Sequence, residues 1–135
     1  MTERAMPVTP PQARSYQHFF ESLREDALPG PVLSPRRFSE ALKIDLKTLA
    51  EQAHVHRNTI TRAPDSQGVQ AFLREALRVI KAATDLNGDV DSALFWYRNE
   101  PLGVFGYRTA EHLVSQGRTD DLLRYVLSLE AGAAG

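Results

Sequence analysis

Apolar residues recur at steps of three and four along most of the chain, and no stretch alternates apolar with polar for long, so the pattern predicts an all-α protein. The most regular stripe is Val69, Phe72, Leu73, Ala76, Leu77, Ile80 and Ala83, which predicts a helix over residues 66–86 stopped by Asn87-Gly88. Asp89 then caps a helix reaching about residue 98, with Val90, Ala93, Leu94 and Tyr97 on one face. Pro101, Gly103 and Gly106 forbid regular helix over 99–107. Thr109 caps a helix that Gly117 ends, and Thr119 with Asp120 and Asp121 opens a last one. Leu122, Leu123, Val126, Leu127 and Leu129 supply the apolar positions of that last helix.

The first third is punctuated by proline. Thr9-Pro10-Pro11 is suited to a helix start, and a helix over 11–26 would place Tyr16, Phe19, Phe20 and Leu23 on one stripe before Leu28-Pro29-Gly30-Pro31 ends it. Ser34-Pro35 is an N-cap and first-turn pair, opening a helix in which Phe38, Ala41 and Leu42 share a face. Asp45 caps the next helix, with Leu46, Leu49, Ala50 and Ala53 inward. After three intervening residues Arg57 begins a short helix that Pro64 cannot allow to continue.

The segment Leu49-Ala50 to Ile60 has helix-turn-helix spacing: a small residue where two helices cross, a turn at His54, apolar Val55, and a cap at His56. Val55 and Ile60 would lock the second helix onto the first. Arg57, Asn58, Thr59, Thr61 and Arg62, with Lys47 beside them, are the candidate DNA-binding residues, Arg suiting guanine and Asn suiting adenine in the major groove. Such motifs usually place Gly at the turn, where φ is often positive; His tolerates that conformation better than most residues. A plain helical hairpin with no DNA contact is the alternative.

Charge sharpens this picture more than composition does. The 135 residues are 42% hydrophobic and 24% charged, ordinary for one domain with two lobes, and no apolar run approaches the roughly 18 residues of a membrane span. The net charge of -1 is unevenly spread: residues 34–64 hold six basic against three acidic groups, whereas 65–135 hold seven against ten. Any nucleic-acid contact therefore belongs to the middle of the chain, although a normal solvated surface can also carry such an excess. Zero cysteines remove disulfides and thiolate metal sites, and residues 1–16 lack a signal-peptide core, so a cytoplasmic location is the default.

No catalytic residue, metal site or cofactor is assigned. His54 and His56 are two apart and cannot share a helical face, while His18 and His112 stand alone. The Gly-Val-Phe-Gly stretch at 103–106 has no Lys-Ser/Thr after it and is not a phosphate loop. A small metal-dependent hydrolase is disfavoured for want of a ligand set.

The C-terminal third is the most distinctive part: Trp96, Arg98-Asn99, Pro101-Leu102, Thr109-Ala110, Leu113-Val114, Gly117-Arg118 and the closing Leu129 to Gly132. With the helix-turn-helix, these residues resemble the Xre/MbcA/ParS antitoxin family over roughly residues 32–135. Many members have Gly-Gly-x-Thr-Pro where this chain reads Phe105-Gly106-Tyr107-Arg108-Thr109-Ala110, so Thr109 must cap without the following proline. The resemblance implies an Xre-like helix-turn-helix lobe followed by a small helical toxin-binding domain. The division is an extension with one amphipathic helix at 1–33, the helix-turn-helix at 34–64, a connecting helix at 65–88 and the toxin-binding domain with its tail at 89–135.

It further implies a type II antitoxin that neutralises a RES-type, NAD-consuming toxin by covering its NAD pocket and represses its own operon. Toxin contacts are expected from Arg98, Tyr107, Arg118 and Tyr125, and from the tail at Glu130, Gly132, Ala134 and Gly135, whose small residues and terminal carboxylate suit a phosphate-binding pocket. A frayed terminus without function is the alternative for the tail. Trp96, Leu102 and Leu113 read as core. The implied partners are the toxin, operator DNA and a second copy, with a larger assembly on the toxin and no membrane. The Tyr16-Phe19-Phe20-Leu23 stripe is the candidate dimer surface. The competing reading is a stand-alone transcription regulator whose C-terminal domain only oligomerises.

Overall fold

Most of the helices begin where a side chain takes up one of the amides that a first turn leaves unpaired, although Ser66 ahead of the longest makes no such bond. The computed structural model, which describes residues 13–134, contains α1 (Tyr16–Ser22), α2 (Pro35–Leu42), α3 (Leu46–Ala53), α4 (Arg57–Arg62), α5 (Gln67–Asn87), α6 (Val90–Asn99), α7 (Ala110–Ser115) and α8 (Thr119–Ala134). Ser34 Oγ accepts from the Arg37 amide at 3.1 Å, Asp45 from Thr48 at 2.7 Å, Asp89 from Ser92 at 2.9 Å and Thr109 from His112 at 3.2 Å. Lys43, His54 and Gly88 end α2, α3 and α5 in the left-handed conformation, at φ 60°, 58° and 81°. Among the described residues there is no strand, only two isolated antiparallel bridges.

α1 is shorter than the pattern predicts. Ser15 rather than Pro11 caps it, with Oγ accepting from His18 at 3.0 Å, and it ends at Ser22. The chain leaves the helix because Leu23 and Glu25 find backbone partners in the returning segment: Ser34 donates to the Leu23 carbonyl at 2.7 Å and Glu25 to the Val32 carbonyl at 2.8 Å. Thr9, Pro10 and Pro11 lie outside the described residues.

α5 is the axis of the fold. All seven of its stripe residues are buried, and it packs most extensively on α6 and α8, with further contacts to α2, α3 and α7. A single apolar cluster runs across it, from Phe19 and Leu23 through Phe38, Leu49 and Ile60 to Leu113 and Leu122. The segment expected to connect two lobes is therefore their common core.

Three side-chain expectations change. Phe19 and Leu23 are 1% exposed, and Tyr16 and Phe20 are half-buried against the same cluster, so the α1 stripe serves mainly the core and leaves little apolar surface for a dimer contact. Trp96 is only partly buried; the deep position belongs to Tyr97, which shares the face of Val90, Ala93 and Leu94. Leu102 and Leu113 are core, as expected. Of the expected apolar positions of α8 only Leu122 and Val126 are fully inside, while Leu127 and Leu129 are exposed.

The caps carry a pH signature. The Asp45 carboxyl is held below its ordinary value of 3.8 chiefly by the Thr48 amide, and Asp89 chiefly by the Ser92 amide and then by that of Arg14. A depressed folded-state pKa contributes stability that is complete above the ordinary value and is lost as pH falls through the lowered one. Replacing both by asparagine keeps a capping acceptor that does not titrate. The double variant is therefore expected to lose less stability than the parent between neutral pH and about pH 2, as measured by thermal unfolding at each pH.

Candidate interaction surfaces

α3 and α4 are joined by a tight turn centred on His54. Ala50 is 3% exposed at the crossing, the His54 amide returns to the Ala50 and Glu51 carbonyls, and Val55 donates to the Ala50 carbonyl at 3.0 Å. His56 caps α4 through Nδ1, which accepts from the Asn58 amide at 3.0 Å. Ile60, 3% exposed, pins α4 from within, and Arg57, Asn58, Thr61 and Arg62 face solvent; Thr59 is half-buried. Lys47 is exposed on α3. None of Lys47, Arg57 and Arg62 forms an ion pair with a described residue.

Arg36 belongs to this face as well. It lines a shallow depression of about 160 Å³ together with Ile60, Thr61 and Pro64, because the start of α2 lies beside the end of α4. Its place in the basic block was the only signal available in the sequence. Arg37 is engaged elsewhere, donating to the Arg24 carbonyl at 2.8 Å.

The second surface is built around the loop between α6 and α7. Leu102 and Arg108 form a bridge, and Tyr107 donates to the Leu102 carbonyl at 2.8 Å. A 3-10 turn at Gly103–Phe105 and left-handed backbone at both Gly106 (φ 67°) and Tyr107 (φ 66°) close the loop. The result is that Val104 and Tyr107 stand out at 69% and 75% exposure, while Phe105 turns inward. The Phe105 ring meets Tyr125 edge-on at 5.7 Å between centroids, and the Arg118 guanidinium lies 5.2 Å over it.

The expected contact residues divide accordingly. Tyr107 is exposed; Arg118 and Tyr125 are half-buried around Phe105, and Arg118 also pairs with Asp121 at 3.3 Å. Arg98 serves the fold: its Nε donates to Glu111 at 3.2 Å and its Nη1 to the Leu42 carbonyl at 2.8 Å, joining α6 to α7 and to the end of α2. Val104, Phe105, Leu127 and Leu129 were not singled out as contacts, because periodicity alone does not say which apolar positions remain uncovered.

Glu130 and Gly132 are exposed on α8, Ala134 is its last residue and Gly135 lies outside the described residues. The small-residue segment is thus carried on a helix rather than as an extended thread. Leu, Glu and Ala favour helix strongly enough to absorb about 1 kcal/mol for Gly132. No side chain between Leu127 and Gly132 is buried, and α8 continues for about 12 Å past Val126.

Among the described residues no group of three or more His, Asp or Glu side chains is placed to hold a metal ion, and no helix is long and apolar enough to cross a membrane. His54 Nε2 lies 2.7 Å from the Ser115 carbonyl and ties the α3–α4 turn to α7. The Tyr97 hydroxyl is buried without a hydrogen-bond partner, and burial, with the nearby Glu111 charge, pushes its pKa up. Comparison with known proteins returns no match to a family description, a curated protein or a solved structure.

Proposed function

We propose that the protein is a type II antitoxin that neutralises a RES-type, NAD-consuming toxin with its C-terminal surface and represses its own operon with α4. The observation that carries this reading is the exposed end of α8. A helical end that displays Leu127 at 58% exposure is suited to lie in an apolar groove of another protein. The exposed Val104 and Tyr107 extend the same kind of chemistry along the adjoining loop. On this reading Ala131 and Gly132 make the end of α8 narrow enough to approach the toxin's NAD cleft, and Glu130 opposes the cationic groups that hold phosphates there.

The test is co-expression with the product of a RES-type gene adjoining this one. The complex is expected to co-purify and growth to be restored. Separate purification with continued growth arrest removes the antitoxin reading and leaves the stand-alone regulator.

The repressor half has its own test, on DNA from upstream of the gene. Binding is expected to weaken steeply with salt, and the Arg57→Ala/Arg62→Ala variant to bind more weakly with a log–log salt slope shallower by about 1.8, two phosphate contacts at 0.9 each. An unchanged slope would take these arginines off the backbone.

A further inference from the structure

The α1 stripe is spent mainly on the core, and the outer face of α6 presents a more exposed apolar surface to a second copy. Between its outer face and the end of α2 runs a groove of about 450 Å³ with Ala41, Leu42 and Leu94 beneath it. Phe95 stands on the rim at 70% exposure, covered by no described residue. Charge is polarised along the groove: Asp91 lies in the first turn of α6, while Lys43 lies at the other end, where its carbonyl accepts from Arg98. The two ends are about 10 Å apart along the helix. Asp91 already pairs with Arg14 at 2.6 Å, yet its side chain keeps 53% exposure and free acceptor positions.

We infer that this groove is the homodimer surface, with α6 of a second copy laid antiparallel across it so that each Phe95 enters the other copy's groove. A two-fold interface requires a patch that is complementary to itself. This one places an apolar knob beside an apolar hollow and reverses charge from end to end, so the two-fold sets Asp91 of each copy against Lys43 of the other. No toxin or DNA is needed for this pairing, so it stands or falls apart from the function proposed above.

Sedimentation equilibrium of the full chain over a concentration series tests it, with circular dichroism as the folding control. The parent is expected to dimerise, and Phe95→Glu, at a position already exposed, to be folded and monomeric. Lys43→Glu and Asp91→Lys are each expected to weaken the dimer about tenfold by setting like charges face to face, and the two together to restore it. A monomeric parent, a Phe95→Glu dimer of parental strength, or a charge-swapped double variant no tighter than the singles overturns the inference.

Discussion

A variant ending at Val126 is expected to fold like the full chain and to leave a co-expressed RES-type toxin fully active. Both halves follow from where the buried side chains of α8 end. Val126 is 2% exposed and is the last buried side chain; from Leu127 to Gly132 every described side chain is exposed. Removing residues whose side chains are all exposed, with Leu129 the more covered leucine at 38% exposure, costs about 1 kcal/mol or less, so the melting temperature is expected to move by about 4 °C at most for a chain of this size. The partner, by contrast, would lose Leu127 and the narrow helical end together. The milder Leu127→Ser keeps the backbone and is expected to weaken the complex by about one order of magnitude, as for a truncated anchor of about 1–2 kcal/mol. Full neutralisation by the shortened chain would move the toxin contact off α8 and onto the Val104 and Tyr107 loop.

Arg98→Ala is expected to act in the opposite way, on the fold before any partner. Arg98 is 32% exposed at its side chain and pairs with a Glu111 carboxylate that is 12% exposed, while also donating to the Leu42 carbonyl at the end of α2. Alanine leaves a largely buried carboxylate and a carbonyl without their donor. A fully buried orphan would cost about 3–5 kcal/mol, and partial solvent access lowers this to about 2 kcal/mol, roughly 6 °C in melting temperature. Adding Glu111→Gln removes the orphan charge and is expected to recover part of the loss. An unchanged melting temperature with impaired toxin binding would instead make Arg98 a contact residue.

The parts of the fold that were legible are those settled within a few residues. Ser34, Asp45, His56, Asp89 and Thr109 each bond an amide two or three positions on, so the cap and its helix are written together. The α5 stripe was readable for a similar reason: a helix buried along most of its length repeats its apolar spacing often enough to be unmistakable. Distance in sequence is what defeated the rest. α1 ends early because of Val32 and Ser34, Arg98 is held by Leu42 and Glu111, and the α1 stripe faces a core assembled from every later helix.

The candidate surfaces show the same division. The exposure of Arg57, Asn58, Thr61 and Arg62 follows from one buried residue, Ile60, on a six-residue helix. At the C-terminus, spacing marked Leu127 and Leu129 as apolar but could not say that they stay exposed. Composition suggested a slim tail; helix propensity carries α8 through Ala134. On the proposed antitoxin reading, the inhibitory element would be a helical rod, suited to a groove rather than a narrow channel.

The central claim is that this rod closes an NAD site in another protein, and NAD consumption by the purified RES-type toxin tests it most directly. With the full chain added up to one binding equivalent, consumption is expected to fall to background, and with the chain ending at Val126 to continue at the uninhibited rate. NAD consumption that persists in a complex saturated with the full chain would contradict it.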